Sequence, residues 1–398
     1  MTRAEKRLEK LIAQIVERSS ELDYSVLLLI CKRLRQIGEK GSLTKEQKAA
    51  DLERLKKELR RHNILQRADI NRLLEDVSKD VYMESELNYK LMSVPFIPYS
   101  KNKAIQKILT EAKIDVANSD VFKTQGFMLR DPKTRKLTPN TVSETYNKII
   151  NDAAEKATDG SIDYFKAIRE TVKQLNDSGV RHIQYESESG KMHSQSIESA
   201  VKRNILDNVR DINQKTQDEV GKQYGADGKE ITVHEHPAVD HAPIQGHQFT
   251  NEEWEKLQNG EAFQDVNGKH FEPIKRAIGT LNCRHFAYSI LVGINKPNFT
   301  EEQLQEVLDR NEEGYTDEDG KHRTLYECTQ EQRRLERILR KAKRGQVMAK
   351  EAGEMDLAKQ YQYEVDTTMV KYNDFCKKCG LPKHPENFRV PGYRRLKI

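Results

Sequence analysis

Apolar residues spaced three and four apart among charged ones constrain this chain more than any other feature. Leu8, Leu11, Ile12, Ile15 and Val16 follow that rule, and Leu22, Val26, Leu27, Ile30 and Leu34 continue it. A period of 3.6 places such positions on one face of an α-helix and turns the charges to water. Ser19-Ser20 is expected to interrupt this helix, and Gly38 and Gly41 to end it. Thr44 opens a second helix with Leu52, Leu55 and Leu59 inward. A third spans about Gln66 to Leu91, before Pro95 and Pro98. Charged residues make up 33% of the chain, apolar ones 36%, and mean hydropathy is −0.84, values that suit long solvated helices better than a compact enzyme.

The helical pattern resumes between residues 101 and 180, now with Phe122, Phe127, Tyr146, Tyr164 and Phe165. Thr138-Pro139 reads as a helix N-cap with proline at the first helical position, followed by an inward face of Val142, Tyr146, Ile149 and Ile150. Ser161 similarly caps a helix carrying Ile162, Phe165, Ile168, Val172 and Leu175, which stops at Gly179. A turn near Gly190 leads to a helix from about Ser196 to Gln223, ended by Gly225 and Gly228.

There the character changes. Ile231 to Val233 reads as a short strand, and Pro237 to Gly246 as an ordered loop. Thr250 to Glu253 forms a capping box opening a helix with Trp254 and Leu257, and Phe286 to Ile294 supplies a second buried strand. After Pro297 helices return, one behind the capping box Thr300 to Gln303, one through 329–344, and one from about Glu354 to Phe375. The expected fold is mainly α, with long amphipathic helices around a small α+β core at about 225–295. Four consecutive segments follow from these boundaries: a helical arm at 1–94, a helical domain at 95–224, the core at 225–296, and a basic helical region at 297–398.

Bulk properties remove several function classes. The net charge of +5 is a small excess of 68 basic over 63 acidic residues, so nucleic-acid binding must be argued from local clusters. No apolar run approaches the roughly 18 residues of a membrane span. Five cysteines, an odd number in a long chain, do not form a disulfide framework and point to folding in a reducing cytoplasm. The chain has no GxxxxGK[ST] loop, no GxGxxG after a strand and no GxSxG elbow, which argues against a nucleotide-driven motor or an α/β hydrolase.

Three clusters carry chemistry. Six of the eleven histidines, 234, 236, 241, 247, 270 and 285, lie with Cys283 in one stretch. Cys283 and His285, with His236, His241 or His247, offer four zinc ligands, although their spacing matches no standard zinc pattern. The same histidines can instead hydrogen-bond and stiffen a loop. A third reading pairs two of them with Asp240 and Arg284 as acid, base and anion clamp of a nuclease-like site. The second cluster is Cys376, Cys379 and His384, the opening of a zinc knuckle that lacks its closing cysteine because Arg389 stands there. The third is the basic run Arg333, Arg334, Arg337, Arg340, Lys341, Lys343 and Arg344. Its cations either form a solvated face or contact DNA or an acidic partner nonspecifically. No aromatic residues interleave for base stacking. No cofactor is expected, with zinc, which neutral imidazole and thiolate suit, as the alternative.

Several blocks in order resemble the phage minor capsid protein 2 family of tailed bacteriophages and prophages, akin to phage-Mu-type head morphogenesis proteins. They are Ser196 to Leu206, Ala238-Val-Asp240-His241 with Gln245-Gly246, Gln248-Phe249, Asn282-Cys283-Arg284-His285 with Gly293, and Tyr326 through Gln330 to Glu336. The resemblance runs from about residue 85 to near the C-terminus. It implies a non-enzymatic minor head protein made in the bacterial host cytoplasm and carried in the virion. It also implies the portal or major capsid protein as partner, with packaged DNA a further nonspecific one and no membrane. Asp240, His241, Gln245, Gly246, Asn282, Cys283, Arg284 and His285 are the motif residues carried over, as shapers of the core.

Overall fold

The computed structural model describes residues 3–131, 134–158, 163–185, 192–266, 268–279, 283 and 285–396. In chain order the helices and strands are α1 (Arg3–Lys40), α2 (Lys45–Glu84), α3 (Glu86–Leu91), α4 (Lys103–Asn118), β1 (Gln125–Arg130), β2 (Leu137–Thr141), α5 (Val142–Thr158) and α6 (Asp163–Ser178). They continue with β3 (Arg181–Tyr185), β4 (Met192–Ser196), α7 (Ile197–Tyr224), β5 (Gly228–Ile231), β6 (Gln248–Thr250), α8 (Asn251–Gln258), β7 (Phe263–Gln264), β8 (His270–Phe271) and β9 (Ala287–Ile290). The last are α9 (Glu301–Glu313), β10 (Tyr315–Thr316), β11 (His322–Arg323), α10 (Leu325–Glu351) and α11 (Met355–Lys378). The fold is mainly α with a small α+β region, and no described helix is long and apolar enough to cross a membrane.

One local device starts many of these helices. A threonine hydroxyl accepts from the backbone N–H three residues on, and the Glu or Gln there accepts from or faces back to the threonine N–H. Thr250 with Glu253 and Thr300 with Gln303 do this as expected. Thr44 with Gln47, Thr141 with Glu144 and Thr324 with Glu327 repeat it at α2, α5 and α10. Each such cap contributes about 1 kcal/mol.

Several expectations are corrected. Ser19-Ser20 does not interrupt α1, because both hydroxyls have partners: Gln66 donates to Ser19 at 2.7 Å and Ser20 donates to Glu198 at 3.0 Å. Gly38 lies inside α1 against the Tyr164 ring, and Gly41, at φ +80°, does the ending. The second and third helices are one helix, α2, followed by the single short turn of α3. The stretch read as helical between 101 and 180 contains β1 and β2. Thr138-Pro139 is not a cap; Pro139 sits in β2 opposite Met128, and Thr141 caps α5. The expected Ser161 cap and the Gly190 turn lie outside the described residues.

The chain folds as two compact units, each assembled from separated stretches. The segments drawn at residues 94, 224 and 296 divide it consecutively instead. The first unit holds Met1–Ala68, Ser119–Lys202 and Glu331–Ile398, including a four-stranded antiparallel sheet of order β2-β1-β3-β4. Its interior includes Val26, Leu27, Ile30 and Leu34 of α1, each at most 1% exposed. Burying each such side chain is worth ~1.5–3 kcal/mol. A charged group lies there too. Arg344 donates to Asp23 and to Asn176, while Arg340 pairs with Glu198 at 3.6 Å.

The second unit holds Asp69–Asn118 and Arg203–Gln330. A three-stranded antiparallel sheet of order β6-β5-β9 is its centre. β9 is an edge strand, yet its outward N–H groups are satisfied: Gln214 and Gln217 of α7 accept from Ala287 and Ser289, both at 3.2 Å. Ile231, Ile244, Phe249, Leu257, Phe263, Phe271, Ile274 and Ile278 pack beneath the sheet, with Trp254 against them. A separate aromatic cluster of Tyr82, Tyr89 and Tyr224 takes in Phe96 from between the two boundary prolines.

Candidate functional site: a Cys-His-His cluster at the end of the small sheet

The antiparallel pairing of β5 with β9 matches Ile231 to Ala287, so the chain leaving β5 runs beside the chain entering β9. Thr232 N–H donates to the Phe286 carbonyl at 3.0 Å, and Phe286 N–H donates back to the Thr232 hydroxyl at 3.2 Å. Beyond this clamp, residues 238–246 fold into a helix-like turn: His241 N–H and Ala242 N–H both reach the Ala238 carbonyl at 2.9 Å, and Gln245 N–H reaches that of His241. His241 and Gln245, four apart, thereby face the same side. Cys283 and His285, two apart in the chain before β9, face them.

Gly246 closes the turn at φ +75°, where its N–H donates to Ile231 O at 2.9 Å. A Cβ there would strike Leu304 and would lie 2.9 Å from Val233 Cγ2, so both backbone and space require glycine.

Each imidazole has a readable tautomer. His241 Nε2 lies 2.9 Å from the Arg276 carbonyl oxygen, which only accepts, so Nε2 carries hydrogen. His285 Nε2 lies 3.3 Å from Gln245 Oε1, and the His234 backbone N–H, donating to that oxygen at 3.0 Å, fixes the amide's orientation. His285 therefore also carries its hydrogen on Nε2. Both Nδ1 atoms then turn to Cys283 Sγ, at 3.3 Å from His241 and 3.5 Å from His285. His241 and His285 are 1% and 4% exposed; Cys283 is half-buried.

The electrostatics follow from these contacts. Burial raises the Cys283 thiol, but the His241 hydrogen bond and backbone contacts from Gly279 and His285 outweigh it, leaving the thiol below its usual value. Burial lowers His241, and its contacts with Cys283, Arg276 and Asp240 more than reverse this. Burial, then the neighbouring His234 and His241, push His285 down to about 2. Asp240 is held below the ordinary carboxylate range by the two hydrogen bonds from the Arg276 guanidinium, at 2.8 and 2.6 Å.

Of the motif residues, Asp240, His241, Gln245, Gly246, Cys283 and His285 meet here; Asn282 and Arg284 lie outside the described residues. His241, Cys283 and His285 are the only described His, Cys, Asp or Glu residues whose ligand atoms converge, all within 4.8 Å. His236 is not in that group. His247 is turned to Glu301, at 3.4 Å, and packs edge-on against Phe271. Cys376 is buried in the α10–α11 core, where Gln332 donates to it at 3.3 Å; His384 is more exposed and contacts Glu386 at 3.1 Å. Cys376, Cys379 and His384 do not bring their ligand atoms together as a group of three. Arg276, which both orients His241 and neutralises Asp240, was missed by sequence reasoning; no local signal marks it, since 36 residues separate it from Asp240.

The basic run falls within α10 and divides by partner. Arg344 is turned inward to Asp23, Arg340 faces Glu198, and Lys343 lies over the Phe388 and Tyr393 rings at 4.4 and 5.1 Å. Arg333, Arg334, Arg337 and Lys341 are exposed, with Arg334 paired to Glu331 and Lys341 to Asp177, both at 2.7 Å.

Residues 4–377 match the family model described as phage minor capsid protein 2. The chain belongs to that family. No curated protein and no solved structure matches it. The family model spans both compact units and the Cys-His-His cluster, so the protein is a phage structural protein along nearly its whole length.

Proposed function

We propose that the protein acts in the virion of a tailed phage or prophage as a minor head component, lying against the portal or the inner face of the capsid. The observation that carries this reading is the family match over residues 4–377. Long charged helices fit the role: they stay soluble before assembly and then make many weak polar contacts with a charged partner.

On this reading the histidine-rich core shapes the fold and turns nothing over. An acid–base pair needs one group that gives a proton and one that takes it near neutral pH. His285, buried and neutral throughout that range, has no labile proton to give, and its Nδ1 and that of His241 address the same sulfur. Cross-linking of assembling heads, read by mass spectrometry, tests the proposal. Links from this chain to the portal or major capsid protein are expected; a chain that links to neither, in heads that do assemble, overturns it. Purified protein incubated with RNA and DNA is expected to show no turnover.

A further inference from the structure

The cluster at the end of the small sheet has a proton problem. With both Nε2 atoms donating, to the Arg276 carbonyl and to Gln245 Oε1, two imidazole lone pairs point at one sulfur. A thiol has a single hydrogen and can satisfy one of them. Moving that hydrogen to His241 makes a thiolate–imidazolium pair, but His285 Nδ1 then faces the thiolate with its lone pair. Placing the His285 hydrogen on Nδ1 instead sets Nε2 against Gln245 Oε1. Flipping the Gln245 amide sets its NH2 group against the His234 N–H. With at least one imidazole neutral, every arrangement of protons leaves one buried polar contact repulsive, at a cost of ~1–3 kcal/mol, and protonating both instead buries two imidazolium rings against one thiolate.

A cation removes the conflict at once. In a tetrahedral zinc site, bond lengths near 2.3 Å to sulfur and 2.0–2.1 Å to nitrogen put sulfur and nitrogen about 3.6 Å apart. The two distances here are 3.3 and 3.5 Å. Both imidazoles also donate their remote N–H to an oxygen, the second-sphere arrangement that orients histidine ligands and strengthens them as donors. Asp240, beside His241 at 3.7 Å, adds negative charge nearby while Arg276 keeps it from competing as a ligand.

We propose that His241 Nδ1, Cys283 Sγ and His285 Nδ1 hold a zinc-class divalent cation, with water in the fourth position. Binding releases the thiol proton to solvent and pins the 238–246 turn to Cys283 and His285, just before β9. The inference goes beyond the head role and depends on a different observation, so either can fail without the other.

The test uses the full-length protein purified without chelators. Elemental analysis is expected to find about one zinc per chain, and cobalt(II) replacing it to give the visible bands of tetrahedral coordination with a thiolate-to-metal charge-transfer band. Cys283→Ser loses the charge-transfer band, whereas Cys376→Ser keeps it. Gln245→Leu leaves all three ligands in place and keeps the spectrum, but weakens binding by roughly 10- to 100-fold in chelator competition. That variant also serves if Cys283→Ser does not fold. Protein that takes up neither zinc nor cobalt, or a charge-transfer band that survives Cys283→Ser, or an affinity unmoved by Gln245→Leu, overturns the proposal.

Discussion

Arg344 of α10 donates to Asp23 of α1, closing a buried ion pair between residues 321 apart in sequence. Asp23 also accepts from the Val180 N–H, Arg344 donates to Asn176, and Glu198 with Arg340 completes the group. Arg344 stays charged because the carboxylates of Asp23 and Glu198 outweigh its burial. Replacing it with leucine strands the buried Asp23 carboxylate, while Glu198 keeps Arg340 and Ser20. Arg344→Leu is expected to lower unfolding free energy by ~3–5 kcal/mol, read from denaturant midpoints, against under ~1 kcal/mol for the exposed Arg337→Leu. Equal costs for the two would contradict the pairing.

Gly246 tests the turn that carries His241 and Gln245. Gly246→Ala meets both a left-handed backbone and the Leu304 side chain, and should cost ~1–3 kcal/mol beyond the backbone strain alone. Gly268→Ala provides the comparison, since Gly268 has φ +86° with nothing within 4 Å, so only the strain of ~1 kcal/mol remains. Thermal or denaturant melts of the two variants separate packing from conformation. If they melt together, Gly246 is not a close-packed site.

Acid should destabilise the protein partly through His62. Burial pushes this imidazole down to about 4, and its Nε2 accepts from Gln66 at 3.0 Å, which requires a neutral ring. The unfolded chain takes up the proton first, near the ordinary value of 6.5. Stability from this residue is therefore complete above pH 6.5 and lost as pH falls toward 4, by about 3 kcal/mol in all. His62→Gln should flatten the pH dependence of the denaturant midpoint in that window; an unchanged slope would remove His62 as its source.

DNA contact by α10 has a ceiling. Arg333, Arg334, Arg337 and Lys341 are its exposed cations in the run, while Arg340, Lys343 and Arg344 face partners within the fold. Four phosphate contacts give a slope of log K against log salt no steeper than about −4. Fluorescence anisotropy with duplex DNA at several salt concentrations measures it. A slope twice as steep, unaffected by Arg333→Ala with Arg337→Ala, would place DNA on another surface.

What could be read in the sequence was mostly local. The threonine-led capping boxes at 250 and 300 hold because cap and partner are three residues apart. Thr138-Pro139 misled for the same reason. The residues suit a cap, but β2 is an edge strand, where proline's missing N–H breaks no ladder, and only the distant pairing with β1 decides between them. Ser19-Ser20 looked like a break because serine competes with helix backbone; Gln66 and Glu198 occupy those hydroxyls instead. The histidine cluster shows the limit best. His241, Cys283 and His285 were among eight named ligand candidates, yet which three converge depends on the β5–β9 register, which no spacing encodes.

The central claim, a structural part of the phage head, is tested most directly by quantitative mass spectrometry of purified virions. Peptides covering 4–377 at a fixed, low ratio to the major capsid protein, retained after the particles are washed in high salt, are the expected result. Heads that assemble, package and infect with no trace of this chain in proheads or virions would contradict it.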